Sequence, residues 1–124
     1  MPEPSLAEYV AARLAVPFCW GRSDCIHFTM GWMSIAMASD LLAGYAPWHT
    51  RRQARQRMRE HGGLVHIFNQ LFEPIHPHRA VDGDVTVIGT TSYLFVGRHI
   101  AGVGDAGLVF QDRMQATCAW RCKK

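Results

Sequence analysis

Cys25 opens the longest charge-free stretch in the first half of the chain, the fifteen residues from Cys25 to Ser39, and it directly follows Ser23 and Asp24. Serine and aspartate are preferred helix N-caps, so the spacing predicts a cysteine at the first turn of a helix. Such a thiol feels the positive end of the helix dipole and the unpaired amide donors, which favour thiolate. Arg22 is expected to push the same way. The same amides would serve an oxyanion during acyl transfer. The competing use of Cys25 is as a small buried hydrophobe.

A nucleophilic cysteine needs a base within hydrogen-bond reach. His27 is two residues further along the same helix, where side chains diverge by roughly 200°. His76-Pro77-His78 would present two imidazoles from an extended segment, and His61 and His66 flank Gly62-Gly63. Four cysteines in 124 residues are too few for a disulfide scaffold, and Cys19, Cys25, Cys118 and Cys122 lack the C-x-x-C spacing of a zinc knuckle. No metal or cofactor is assigned.

The second chemical feature is charge. Five of the 13 basic residues and one of the ten acids fall between Arg51 and His61, so this segment carries +4. The remaining eight basic and nine acidic residues carry −1, within a formal total of +3. Arg51, Arg52, Arg55 and Arg59 are candidate docking residues on this ridge. Phosphate contact is one use of such a row. No aromatic platform is interleaved with it and the rest of the chain is slightly acidic, so nucleic acid is not expected. A face for an acidic protein partner fits better.

The elements that must position these groups follow from periodicity and caps. Ser5-x-x-Glu8 is a capping box, and Leu6, Tyr9, Val10 and Leu14 predict a helix over 5–15, stopped by Pro17. The run from Cys25 is apolar nearly all round, as in a buried central helix, with His27, Gly31 and Ser34 on one strip. Thr50 with Gln53 starts a third helix that Gly62-Gly63 ends, and 64–72 reads as a fourth, closed by Pro74. Beyond Pro77 the segments 84–88, 93–97, 100–103, 107–111 and 117–121 read as short strands between turns. Helices followed by a small antiparallel sheet make an α+β class, with 1–124 expected as a single domain.

A hydrophobic fraction of 48% with 19% charged residues excludes a disordered tail. The first residues carry acids where a secretory leader needs a basic region. The fifteen-residue apolar stretch is short of the roughly 20 needed to span a bilayer. A soluble protein made in a reducing compartment, with no membrane-spanning segment, is expected.

Trp20-Gly21-x-x-Asp24-Cys25-x-x-Phe28, heading an apolar helix and followed by Gly83-Asp84-Val85, resembles the NlpC-type cell-wall cysteine peptidases. That resemblance implies a circularly permuted papain-like fold, with cysteine at a helix start, histidine on a following strand and a third polar residue beyond. The chain from 18 to 121 is more closely similar to a family of small phage proteins related to that fold. Asp40, Gly62-Gly63-Leu64, Gly97, Asp105-x-Gly107-Leu108 and Cys118-x-Trp120-Arg121 carry this wider similarity.

Aligning Leu94-Phe95-Val96-Gly97 with the end of the peptidases' histidine strand puts Thr91 or Ser92 in the histidine slot. Neither is a general base near neutral pH. The nearest replacement is His99, on the next strand. The resemblance therefore implies Cys25 as nucleophile and His99 as its weak partner, with Trp20, Gly21, Asp24, Phe28, Gly83, Asp84 and Trp120 as structural motif residues. It further implies a virion protein of the tail tip or baseplate, assembled in the host cytoplasm and docking to other tail proteins with little or no hydrolase activity. The alternative is an active cysteine amidase or endopeptidase that opens peptidoglycan, its base being His99 or a residue lent by a neighbour. A metal-binding or nucleic-acid module is the third reading.

Overall fold

The computed structural model describes residues 3–123. Helix α1 (Leu6–Ala11) starts at the expected capping box: Ser5 Oγ accepts from the Glu8 amide, and the Glu8 carboxylate accepts from the Ser5 amide. It stops earlier than the periodicity predicted, and residues 12–15 continue as turns. Helix α2 (Cys25–Met37) is capped by Asp24, while Ser23 instead donates its hydroxyl to the Pro17 carbonyl.

The His27–Gly31–Ser34 strip is both a close-packing and a polar seam. His27 Nδ1 meets Asp24, and Ser34 Oγ accepts from the Leu41 amide. At Gly31 any Cβ would collide with the Tyr9 hydroxyl, which donates to the Phe28 carbonyl at 2.7 Å. Glycine here lets α1 lie directly against α2.

Helix α3 (Arg51–Glu60) is capped by Thr50, and helix α4 (Leu64–Leu71) follows after Gly62 and Gly63, both at positive φ. Strand β1 (Phe72–Ile75) comes next, a strand that the pattern around Pro74 concealed. It is an edge strand, so the N–H that Pro74 lacks is not missed by a second neighbour.

Strands β2 (Val85–Ile88), β3 (Thr91–Val96), β4 (His99–Gly104), β5 (Gly107–Asp112) and β6 (Ala119–Cys122) complete a six-stranded antiparallel sheet. Its order is β1-β6-β2-β3-β4-β5. The described residues are therefore α+β, four α-helices followed by one antiparallel sheet. No helix of the described residues is long and apolar enough to cross a membrane.

Alternation on the strands separates two apolar layers. Val85, Leu94, Ala101 and Trp120 face α2 and join Met30, Met33 and Phe68 in the main core. Tyr93, Phe95, Ile100 and Ala119 point the other way, where Ala80 and Ala116 cover them and the Arg113 guanidinium lies over Phe95.

The Gly83-Asp84 turn ties these parts together. Gly83 has φ of 91°, and a Cβ there would press on the Trp32 indole. Asp84 is buried, accepts from the Val81 amide at 2.8 Å and pairs with Arg121 at 3.0 Å, linking the start of β2 to β6. Trp120 donates its indole N–H to Asn69, tying β6 to α4. The segment before α2 is just as constrained. Gly21 has φ of 81°, and a Cβ would overlap the Trp48 carbonyl.

Gly21→Ala combines an unfavourable left-handed backbone with a steric clash against main chain that cannot swing aside. It should lower stability by at least about 2 kcal/mol, measured by urea denaturation. A loss well under 1 kcal/mol would show that the loop relaxes freely.

Candidate functional site

The site begins with the loop that delivers Cys25. Asp24 is fully buried, and its two carboxylate oxygens accept four hydrogen bonds. Oδ2 takes the Gly21 amide and the Trp48 indole N–H, each at 2.8 Å. Oδ1 takes the His27 amide at 2.8 Å and faces His27 Nδ1 at 2.9 Å. Burial raises the Asp24 pKa, but the bonds from His27, Gly21 and Trp48 outweigh it and hold the carboxyl below its ordinary value. The aspartate thus binds the incoming loop, the first turn of α2 and the segment before α3.

Cys25 follows as the first residue of α2, with 8% of its surface exposed. Its carbonyl accepts from Ser92 Oγ and from Thr29 Oγ1, both at 3.0 Å, and these two hydroxyls lie 2.8 Å apart. Ser92 and Thr29 are themselves completely buried. The triangle fastens the helix start to the beginning of β3.

The helix-start position does not produce a thiolate. Burial pushes the Cys25 thiol up, the Ser92 amide and hydroxyl oppose this in part, and the neighbouring Asp24 carboxylate adds to the rise. Arg22 gives no counterweight, because it lines a separate hollow with Tyr9, Arg13 and His27. Desolvation next to a buried anion outweighs the dipole.

Of the two candidates for the histidine slot, Ser92 is the residue bonded at Cys25, while Thr91 lines the cleft beside it. His99 lies elsewhere. It pairs with Val96 at the opposite end of β3, four residues or roughly 13 Å along the strand from Ser92. It is exposed, with its ring against Phe110. His27 is turned to Asp24 and packs edge-on against Trp48 at 4.9 Å. The structure therefore brings Cys25, Asp24 and Trp20 together and leaves His99 away.

Trp20 packs edge-on against Phe18 at 4.7 Å, and Phe28 lies in the core beneath Tyr9. Gly83, Asp84 and Trp120 brace the sheet, as described above. The four thiols are dispersed: Cys19 is exposed, Cys118 meets the Val87 carbonyl and Cys122 meets the Met33 sulfur. Among the described residues no three His, Cys, Asp or Glu side chains converge as a metal centre would require.

A cleft of about 860 Å³ opens beside Cys25. Trp20, Ile26 and Leu64 supply apolar lining, Thr91 sits at its sheet side, and Arg51, Arg55 and Arg59 line it from α3. Thus the arginine row, more than twenty-five residues from Cys25 in sequence, shares a cleft with it. Arg52, the fourth candidate, faces a separate outer hollow with Arg51, Arg55 and Arg59.

Trp48 and Thr29 were not foreseen as site residues. Trp48 lies in an irregular segment where no spacing links it to Asp24, and Thr29 is one of two hydroxyls, with Ser34, on a mostly apolar helix. A hydroxyl on such a helix was the available signal.

Residues 2–122 match the family described as a domain of unknown function, DUF6950, and the chain belongs to that family. No curated protein and no solved structure was found to match the chain.

A carboxylate held below its unfolded pKa stabilises the fold above that unfolded value, about 3.9, and the contribution is lost as pH falls through the folded value. The melting temperature should therefore drop as pH goes from 5 to below about 3.5. Asp24→Asn, which strands donors now bonded to a carboxylate, should cost about 2–4 kcal/mol at pH 7 and flatten that acid dependence. An unchanged acid slope in the variant would contradict the role given to Asp24.

Alkylation of Cys25 by iodoacetamide at pH 7.5 should run at least about tenfold slower than that of exposed Cys19, since only accessible thiolate reacts. Peptide mapping by mass spectrometry reads both sites, and comparable rates would contradict a protonated, buried thiol.

Proposed function

We propose that this chain is a non-hydrolytic member of the papain-related, NlpC-like architecture, acting as a structural protein of a phage or prophage tail tip or baseplate. The observation that carries the reading is Ser92. A cysteine peptidase of this architecture needs an imidazole on the strand facing the helix-start cysteine, and the side chain meeting Cys25 there is a buried serine hydroxyl.

Serine cannot take a proton from a thiol near neutral pH. The thiol is itself held protonated by burial, and the nearby His27 is committed to Asp24. What remains is a helix and a sheet clamped through Ser92, Thr29 and the Cys25 carbonyl. That arrangement suits a rigid scaffold better than turnover.

Placement in the tail, and so in the virion after assembly in the host cytoplasm, rests on the sequence similarity to small phage proteins. On this reading the protein works by docking to other tail proteins through exposed surfaces. The row of Arg51, Arg52, Arg55 and Arg59 is one candidate surface, and the outer strand β5 is another. The opposing reading, a peptidoglycan amidase or endopeptidase completed by a neighbouring chain, draws on one observation: Cys25 lines an open cleft rather than a sealed core.

Incubation with purified sacculi, alone and with co-expressed tail proteins, separates the two. Release of soluble peptidoglycan fragments should be the same for wild type and Cys25→Ala, and both should assemble into particles. Release by the wild type that Cys25→Ala abolishes would overturn the non-hydrolytic reading. Failure to co-purify with any tail component would overturn the placement.

A further inference from the structure

The arginines of α3 are not explained by the helix that carries them. Arg51, Arg55 and Arg59 follow one another at i, i+4, where like charges weaken a helix. Among the described residues the ion pair on this helix is Arg57 with Glu60, and Arg51, Arg55 and Arg59 have none. All three are exposed and line the cleft that Cys25 also lines.

The lining from other elements includes apolar side chains that are incompletely covered. Trp20 is half-buried, and Val65 on the rim is 47% exposed. The first turn of α4, which no side chain caps, opens on the same cleft. Its unpaired amides add positive potential at that wall.

We propose that this cleft is a docking groove for an extended acidic peptide of a partner protein, with carboxylates on alternate residues and apolar side chains between them. The proposal rests on the non-hydrolytic reading, for it makes the groove a place of binding rather than turnover. Spacing supports it. Four residues of helix advance about 6 Å, so the three guanidinium groups spring from points about 6 Å apart. Alternate side chains of an extended strand stand about 6.7 Å apart on one side, which keeps carboxylates in step with the arginines. The intervening side chains then turn to Trp20 and to Val65 on the rim.

Charge and polarity together favour a peptide over nucleic acid. Outside 51–61 the chain carries −1, so the field is confined to this wall. A nucleic-acid strand would bring phosphates and bases to stack on Trp20, but no aliphatic group for Val65, and its charge would not be spaced to leave apolar side chains between the arginines. Arginine also binds carboxylates through paired N–H donors, which gives register as well as attraction.

The test uses the full chain and a fluorescein-labelled octapeptide alternating glutamate with leucine or valine. Fluorescence anisotropy should show saturable binding that weakens at least tenfold in the triple variant Arg51→Glu, Arg55→Glu, Arg59→Glu, and weakens as salt is raised. Because these side chains are exposed, circular dichroism should show the variant folded. If it is not, Arg55→Glu alone serves, with at least a threefold loss expected.

An alternating lysine–leucine peptide should not bind. Equal affinity for an all-glutamate peptide, tighter binding of a single-stranded oligonucleotide of similar charge, or unchanged binding in the folded variant would each overturn the proposal. Cleavage of the bound peptide, seen by mass spectrometry, would count for the groove and against the non-hydrolytic reading.

Discussion

A single buried carboxylate holds the front of this molecule together. Asp24 caps α2, closes the loop from Gly21 and anchors the Trp48 indole, with all four donors within 2.9 Å. A buried charge is tolerable only when its lone pairs are filled, and here they are. The arrangement also explains its neighbours. Gly21 must be glycine because the loop turns left-handed against the Trp48 main chain to reach Asp24. Cys25 is where it is because it follows the cap. Within the sequence signature that resembles a nucleophile motif, Gly21 and Asp24 serve this cap and its loop.

The same physics sets the chemistry of Cys25. A helix start offers a thiol positive potential, but here the thiol is buried beside the capping carboxylate, and desolvation with a neighbouring anion raises its pKa. Ser92 and Thr29 then use their hydroxyl groups on the Cys25 carbonyl rather than on proton transfer. The position is thus built for registry between α2 and β3. Gly83, Asp84 and Arg121 do the corresponding work at the other end of the sheet, where a buried carboxylate again joins segments distant in sequence.

Charge acquires meaning only through the fold. On paper, the basic segment is a solvated helix face between two capping signals. In three dimensions α3 lines the cleft that Cys25 also lines, together with apolar side chains from other elements. Three guanidinium groups with no ion pair among the described residues, beside the partly exposed Trp20 and Val65, form a mixed surface, and such surfaces suit a partner that combines both chemistries.

Local signals were legible in the sequence because local physics generates them. The Ser5–Glu8 box, the Asp24 and Thr50 caps, the Gly62-Gly63 stop and the alternation of the strands after Pro77 all appear where one-dimensional spacing put them, and with them the α+β class. Strand β1 was hidden because Pro74 reads as a breaker unless its strand is known to have only one neighbour. Helix α1 was overextended because amphipathic spacing continues past the point where packing on α2 ends. Trp48 donating to Asp24, Ser92 and not His99 meeting Cys25, and the arginine row sharing the Cys25 cleft could not be read from spacing. Each joins residues more than twenty positions apart, and their contact depends on how α2, α3 and the sheet pack. Apart from β1 and the end of α1, the sequence by itself determined the main helices and strands, their caps and the placing of Cys25 at a helix start. Only tertiary packing decided that this cysteine is a buried, protonated thiol facing a serine, because burial and the choice of partner are properties of what surrounds a residue and not of its neighbours along the chain.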